Sequence, residues 1–372
     1  MKKADKPEKI IISNHQIFSL AACGAVGGTI IVVSSLLASI AKQDAWITAI
    51  ITPAFGLIVI WLYYYLGKAY PNMTIIGISK QIFGKWLGII ITACYVFFFI
   101  QISYHITWHM SDFVIHYYHE TPEYFINGLS VAAMVIAVLY GVEAFARASE
   151  IFIKLISVFF LISIILVLPK ANINNLLPVL ENGILPSLKA SVFMSAFSIF
   201  TLQSLLMIYP INALDLPQAS KAFGKGFLWG SLLVFIATIM SILVLGSNIS
   251  ARTTFPTFLL FKEIDIAGIF TRMEFIIAII WIISQFMINL LFFYAAVKAL
   301  AEFLGLKDHR RIVLPLALII LVMSGVTFPD TIYQSNWNSI VWTPYAATFG
   351  LVIPLIMLIV LWIKVRRIKK HG

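Results

Sequence analysis

A cluster of glycines near the N-terminus is the first place where this sequence indicates chemistry. The stretch Cys23-Gly24-Ala25-Val26-Gly27-Gly28-Thr29 lies in an apolar run from about Gln16 to Ile40, which is long enough to cross a bilayer. Each glycine weakens a helix by about 1 kcal/mol relative to alanine, and backbone groups freed within lipid need a partner. The stretch therefore predicts a discontinuous helix with a ligand at the break.

The polarity of this break indicates the kind of ligand. Free N–H groups at Gly27, Gly28 and Thr29 would begin the outer half of the helix, where they favour an anionic group such as a carboxylate. Unwound carbonyl groups would accept from an ammonium group, so the pattern fits an amino acid better than a sugar. The predicted ligand-binding residues of this segment are Gly24, Ala25, Gly27, Gly28 and Thr29. The alternative is close helix packing, because Gly24 and Gly28 form a GxxxG pair.

The composition is that of a polytopic membrane protein. The chain has 372 residues, of which 61% are hydrophobic and 11% charged, and this excludes a soluble globular domain. The net charge of +10 comes from basic loops and tails, so it indicates membrane orientation rather than nucleic-acid binding. Cys23 and Cys94 both lie in apolar runs, so we do not expect a disulfide framework.

Ten apolar spans separated by polar breaks follow from the sequence. They cover about 16–40, 45–66, 86–112, 124–142, 148–169, 186–208, 223–247, 271–303, 311–326 and 341–365. Lysine and arginine concentrate on the side that holds both termini, which places the termini in the cytoplasm. Spans 1 and 6 then run in opposite directions, as in the inverted repeats of many transporters. We predict one all-α polytopic membrane domain over 1–372, built as a five-plus-five inverted repeat (about 16–169 and 186–365) with helices 1 and 6 discontinuous.

Span 6 is the counterpart of span 1, and its middle is rich in hydroxyl groups. Ser195, Ser198, Thr201 and Gln203 lie there, and we predict a second break with ligand contacts from these side chains. The alternative is that the hydroxyl groups bond to their own helix and only bend it.

Span 8 adds polar groups at mid-membrane depth. Gln285 and Asn289 share one face, and Tyr294 lies about a turn further along. Polar groups at that depth usually face the interior of a helix bundle, so we predict that these three side chains line the ligand pocket. The alternative is hydrogen bonding between helices.

Span 3 carries a polar stripe that is open to two interpretations. Gln101, His105 and His109 recur every four residues, and Asp112 follows on the same face. Two histidines at this spacing can bind a metal, but no third ligand is evident, so the wall of a wet outer vestibule is the favoured interpretation. No metal and no cofactor are predicted.

Charged groups on the cytoplasmic side suggest two further roles. Glu143, Arg147 and Glu150 have the spacing of a structural ion cluster. Lys154 lies two turns into span 5, where it either extends to the cytoplasm or titrates as a possible proton-coupling group.

Two connections have a predicted role. The segment 71–85 is amphipathic and is expected to lie on the membrane surface. The outer loop 248–270 is the longest outer connection, and it is a candidate lid or partner surface.

Several motifs along the chain resemble one family. They are Lys80-Gln81-Ile82-Phe83-Gly84-Lys85-Trp86-Leu87-Gly88, the stretch from Tyr140 to Ile151, Asn175-Leu176-Leu177-Pro178, Phe255-Pro256, and Arg272-Met273-Glu274 through Trp281. In order and spacing they resemble the spore germination permease family, the B subunits of germinant receptors in endospore-forming bacteria, which are similar in fold to amino acid–polyamine–organocation (APC) transporters. Members often carry a Gly-Glu pair in the middle of span 6, where this chain has Thr201-Leu202-Gln203.

The resemblance implies a multi-pass subunit of the spore inner membrane that binds a small nutrient germinant and works with an A and a C subunit. Combined with the predicted breaks, it favours a receptor subunit that binds an amino-acid-like nutrient. The alternative is a proton-coupled amino-acid transporter of the same fold. An enzyme is not expected, because no span carries an HExxH, a GxSxG or a paired-aspartate motif.

Overall fold

The computed structural model describes residues 11–117, 120–263 and 274–371. The basic residues Lys2, Lys3, Lys6 and Lys9, part of the predicted outer loop (264–270) and the first residues of span 8 (271–273) lie outside the described residues. Every named secondary-structure element of the described ranges is helical. The first half contains α1 (Asn14–Gly27), α2 (Val33–Ala41), α3 (Ala45–Ala69), α4 (Ile75–Tyr117), α5 (Glu123–Tyr140) and α6 (Val142–Val167).

The second half begins with another short helix. It contains α7 (Leu185–Ser198), α8 (Tyr209–Asn212), α9 (Leu216–Arg252), α10 (Pro256–Lys262), α11 (Glu274–Leu304), α12 (Val313–Ser324), α13 (Thr331–Asn336), α14 (Thr343–Ala347) and α15 (Ile353–His371). A 3-10 segment, Thr201–Met207, lies between α7 and α8. Two π-helical segments, Trp337–Trp342 and Thr348–Val352, join α13, α14 and α15 into one continuous helix.

Most of these helices can cross a membrane by length and composition. Eight helical stretches of the described chain are long and apolar enough to do so, and one of them combines α2 with α3. The other two predicted spans rest on shorter helices, because α1 has 14 residues and ends at the first break, and α12 has 12. The all-α polytopic membrane fold is therefore confirmed.

The break in span 1 occurs at the glycines. A capping box between Ser13 and Gln16 starts α1, and the helix ends at Gly27. Residues 28–32 form turns before α2 begins at Val33. A Cβ on Gly28 would lie 2.8 Å from the carbonyl oxygen of Phe197, so only glycine allows the two broken segments to approach this closely.

The break in span 6 has a different cause. Three hydroxyl groups bond back to carbonyl oxygens of their own helix, Ser195 to Ser191, Ser198 to Met194, and Thr201 to Phe197. The α-helix ends at Ser198 and continues as a 3-10 segment from Thr201. Both sequence interpretations therefore hold, because the hydroxyl groups bond to the helix and the helix is also discontinuous.

The two halves share an order of elements. Each begins with a broken helix and a long helix, and each then has a short helical segment before the next long helix. In the first half that segment is the start of α4, which kinks at Gly84, where φ is +76°. In the second half it is α10. The predicted surface segment 71–85 thus includes a distinct helical turn, fixed by hydrogen bonds from Thr74 and Lys80 to Glu302.

Candidate functional site

A cavity of about 60 Å³ lies where the two breaks meet; we call it the inner cavity. Gly28 and Val32 contribute from the first break, and Phe197 and Thr201 from the second. The remaining lining residues are Ile102, His105, Ile106 and His109 of α4, Gln285 and Ile288 of α11, and Trp337, Asn338 and Trp342 of a π-helical segment. The site is therefore mainly apolar, with a few polar groups at fixed positions.

Aromatic rings form one wall of the inner cavity. The ring of His105 lies edge-on to Trp337 at a centroid distance of 5.4 Å, and Phe197 lies 5.7 Å from Trp342. Trp337 and Trp342 both belong to the π-helical segment of the last helix. Segments of this kind often occur at functional sites, because the wider turn redirects side chains.

A larger cavity of about 560 Å³ adjoins the inner one; we call it the outer vestibule, and its side of the bundle the outer side. Val32, His109, Phe197 and Asn338 line both cavities and mark the boundary. The amide nitrogen of Gln334 lies 2.8 Å from Nε2 of His109. Of the polar stripe of span 3, His109 and Asp112 line the vestibule, whereas His105 lines only the inner cavity and Gln101 accepts a hydrogen bond from Tyr345 outside both linings. No group of three or more potential metal ligands occurs in the part of the chain that the structure describes.

The predicted glycines have different positions relative to the cavity. Gly28 lines it, whereas Gly24 and Gly27 do not. A Cβ on Gly24 would contact Leu202 and Ile288, and a Cβ on Gly27 would meet the Ser284 carbonyl oxygen. These two glycines allow close helix packing, which was the alternative interpretation.

The predicted backbone donors are already used within the chain. The N–H groups of Gly28, Thr29 and Ile30 all donate to the carbonyl oxygen of Val26. The expectation of free N–H groups at Gly27, Gly28 and Thr29 was therefore wrong, because Gly27 belongs to α1 and the chain turns tightly after it. The N–H groups of Ile31 and Val32 have no hydrogen-bond acceptor among the described residues.

Most predicted hydroxyl and small residues face away from the cavity. Thr29 donates to the Ala25 carbonyl oxygen at 2.6 Å, and both residues are buried outside the cavity lining. Ser195 and Ser198 bond to their own helix and are not among the lining residues. Thr201 does line the cavity.

Three buried amides on the site's helices have different environments. Gln285 lines the inner cavity, and its Oε1 has no partner among the described residues. Asn289 accepts from Ser103 at 2.8 Å and donates to Thr107 at 2.9 Å, so it joins α11 to α4 and does not reach the cavity. Gln203 is fully buried outside the cavity lining, and neither end of its amide has a described partner.

The other candidate residues lie away from both cavities. Tyr294 is buried against Phe145, with ring centroids 5.4 Å apart. Lys154 is exposed, so the burial required for a proton-coupling lysine is not present.

The predicted ion cluster is divided. Arg147 pairs with Glu143 at 2.5 Å, whereas Glu150 lies 3.4 Å from His15 of α1. Among the described residues, Glu150 therefore does not join the Arg147 pair, because it faces another helix.

The sequence analysis missed the contribution of span 10. Trp337 and Asn338 precede the predicted start of that span at 341 and Trp342 is its second residue, yet all three line the inner cavity. The five-residue separation of the tryptophans, followed by Pro344, is the available signal, because it fits a π-turn better than an α-helical repeat.

Comparison with known proteins identifies the family. The family described as "Spore germination protein" matches residues 11–331. The chain belongs to this family. Spore germination protein KB of Bacillus subtilis (strain 168) is 26% identical over 371 residues, with 98% of each chain covered. Spore germination protein YndE of the same organism is 28% identical over 257 residues, covering 68% of this chain and 70% of the relative.

Solved structures extend the likeness to transporters. The crystal structure of MhsT in complex with L-phenylalanine matches with a TM-score of 0.69 at 14% identity. The match covers 95% of the present chain and 99% of the MhsT chain. MHP1, a nucleobase-cation-symport-1 family transporter, matches with a TM-score of 0.65 at 13% identity, covering 93% and 80%. At these identities the likeness shows a shared fold.

Proposed function

We propose that this protein is the nutrient-sensing membrane subunit of a spore germinant receptor and binds an amino-acid-like molecule in the inner cavity. The observation that carries the proposal is that one cavity contacts both helix breaks, at Gly28 and at Thr201. Broken helices offer backbone groups to a ligand at the middle of a membrane. Membership of the spore germination family supports a role in germination.

The lining suggests how such a molecule is held. Val32 lines the inner cavity and is the N-cap residue of α2; its N–H group has no acceptor among the described residues and lies at a helix end that favours a carboxylate. Oε1 of Gln285 is an available acceptor for an ammonium group. Ile106, Ile288 and Trp342 provide apolar surface for a side chain. The complex of MhsT with L-phenylalanine supports this ligand class.

A binding experiment tests the ligand class. The purified full chain is screened against the twenty common L-amino acids and a set of sugars by thermal shift, and each hit is measured by equilibrium dialysis. Gln285→Leu should weaken binding of the best amino acid at least about tenfold, because it removes a buried acceptor. Gln218→Leu is the control, since Gln218 is exposed and lines neither cavity. Binding of sugars alone would exclude an amino-acid-like ligand.

Transport is the second candidate function, and the fold of the structural neighbours favours it. A receptor needs only a ligand-dependent shift between two states, with the A and C subunits as partners, whereas a transporter needs a complete cycle. Because Lys154 is exposed, Lys154→Ala should leave the germination response of spores intact. Loss of the A or C subunit should abolish it. Uptake of labelled amino acid driven by a pH gradient, without a germination defect on deletion of the chain, would favour the transporter.

The same proposal includes location. We propose that the chain lies in the spore inner membrane, which its family supports. We also propose that both termini are in the cytoplasm, which the loop charges support.

A further inference from the structure

Charge is distributed unequally between the two cavities. Among the described residues, those that line the inner cavity include no aspartate, glutamate, lysine or arginine. The lining of the outer vestibule contains one acidic side chain, Asp112, and one basic side chain, Arg252. A zwitterionic ligand therefore meets formal charges of both signs in the vestibule and none in the inner cavity.

Asp112 lies on α4, opposite the last helix. Its Oδ1 accepts a hydrogen bond from the hydroxyl group of Thr331 at 3.1 Å. A carboxylate has about four acceptor sites, so one bond leaves capacity for an ammonium group. The Thr331 contact holds the carboxylate at the vestibule wall.

Arg252 is the last residue of α9 and is exposed. It forms no ion pair with any described residue, so it is not paired with Asp112. The guanidinium group is therefore available to a carboxylate, which it can bind through two parallel hydrogen bonds. The volume of about 560 Å³ is within the usual range for ligand sites, roughly 300–1,000 Å³.

We propose that the outer vestibule is a second binding site, which takes a zwitterionic amino acid with its carboxylate on Arg252 and its ammonium group on Asp112. This inference rests on the proposed function, because it gives the amino acid a site before the inner cavity. The hydrogen bond between His109 and Gln334 lies at the boundary, so a ligand in the vestibule occupies a space next to the inner cavity and distinct from it. Recognition in the vestibule depends on the two charged groups and tolerates different side chains.

The test uses the full chain with Cys23→Ala, Cys94→Ala and Ser339→Cys, because Ser339 lines only the vestibule. The rate at which N-ethylmaleimide, a neutral reagent, modifies this cysteine is measured with increasing L-alanine. Propionate and ethylamine are the probes that carry only one of the two charges. We expect L-alanine to slow modification and the single-charge probes to have little effect. Equal protection by propionate and L-alanine would overturn the proposal.

Charge variants identify the residues responsible. Arg252→Gln and Asp112→Asn should each raise the L-alanine concentration for half-protection at least about tenfold, the size of a charge-assisted bond. Lys262→Gln and Glu263→Gln are matched controls on the outer side, because neither residue lines the vestibule. Arg252→Asp and Asp112→Arg should each abolish protection, and their combination should restore part of it. Unchanged half-protection in Arg252→Gln would overturn the proposal.

The inner cavity is tested separately with Gln285→Leu. This variant should lose high-affinity amino-acid binding but keep protection of the vestibule cysteine. Protection without any high-affinity binding in the wild type would mean that the proposed function fails while the vestibule site stands. High-affinity binding without protection would mean that the vestibule site fails while the proposed function stands.

Discussion

The amide of Gln334 and the imidazole of His109 are joined by a 2.8 Å hydrogen bond at the boundary between the outer vestibule and the inner cavity. Gln334 is on α13 and His109 on α4, so the bond links these two helices between the two cavities. It is a short contact between two side chains, and rotamer changes can open it.

Removing this bond should make the inner cavity easier to reach. In a background with Cys23→Ala, Cys94→Ala and Thr201→Cys, Gln334→Leu should raise the rate of N-ethylmaleimide labelling from the outer side several-fold. The cysteine at 201 reports on the inner cavity, which Thr201 lines. Ser335→Ala is the control, because Ser335 lines the vestibule alone. A labelling rate unaffected by Gln334→Leu would show that the bond does not limit access.

Asn289 should contribute to stability rather than to ligand binding. Asn289→Leu leaves Ser103 and Thr107 without this partner in a buried environment, and we expect a loss of about 1–3 kcal/mol in the free energy of unfolding. Affinity for the inner-cavity ligand should remain unchanged in the folded fraction. Adding Ser103→Ala and Thr107→Val should recover part of the stability, because the unpaired polar groups are then removed. A loss of ligand affinity without a loss of stability would indicate that Asn289 belongs to the ligand site.

Replacing Gln203 should stabilise the protein, in contrast to replacing Asn289. Both ends of its amide are buried without a described partner, which is costly in a packed interior. Gln203→Met keeps an unbranched side chain and removes the polar atoms, so the free energy of unfolding should rise by about 1–3 kcal/mol. Denaturation of the purified chain in detergent measures the free energy of unfolding, and Gln285→Met is the comparison variant. A lower stability would indicate that the amide has a partner in the native protein.

Membrane orientation can be tested by labelling. Single cysteines at Asn174 and Ser335, in the chain without its native cysteines, should react with an impermeant thiol reagent outside the cell, whereas one at Lys307 should not. All three positions are exposed, so burial does not decide the result. The loop charges supply the expectation, because lysine and arginine mark the cytoplasmic side. Labelling at 307 from outside would contradict the ten-span arrangement.

The breaks were predictable because their causes are local. Three glycines in six positions weaken span 1 wherever it packs, and the hydroxyl groups of span 6 bond to carbonyl groups within one turn. The choice of side chains that face the cavity depends on helix rotation, which sequence spacing determines poorly. Gln285 and Asn289 are one turn apart on the same helix, yet one lines the cavity and the other bonds to α4.

The contribution of the last helix depends on tertiary structure. The π-helical segment Trp337–Trp342 places Trp342 against Phe197 of the second break and Trp337 against His105, and no α-helical repeat predicts that arrangement. The predicted donors at Gly28 and Thr29 are also not available to a ligand. In the tight turn after Gly27, both N–H groups donate to the carbonyl oxygen of Val26.

The short helix α12 relates this fold to the thickness of the bilayer. Its 12 residues extend about 18 Å, whereas the hydrocarbon core of a typical membrane is about 30 Å thick. A segment this short requires the surrounding lipid to thin or the helix to shift, and either response costs free energy for each ångström of mismatch. Because α12 packs against α4, a thicker membrane would act on the helix that carries His105 and His109. We therefore expect the thickness of the lipid around this face of the protein to affect the inner cavity, through the contact between α12 and α4.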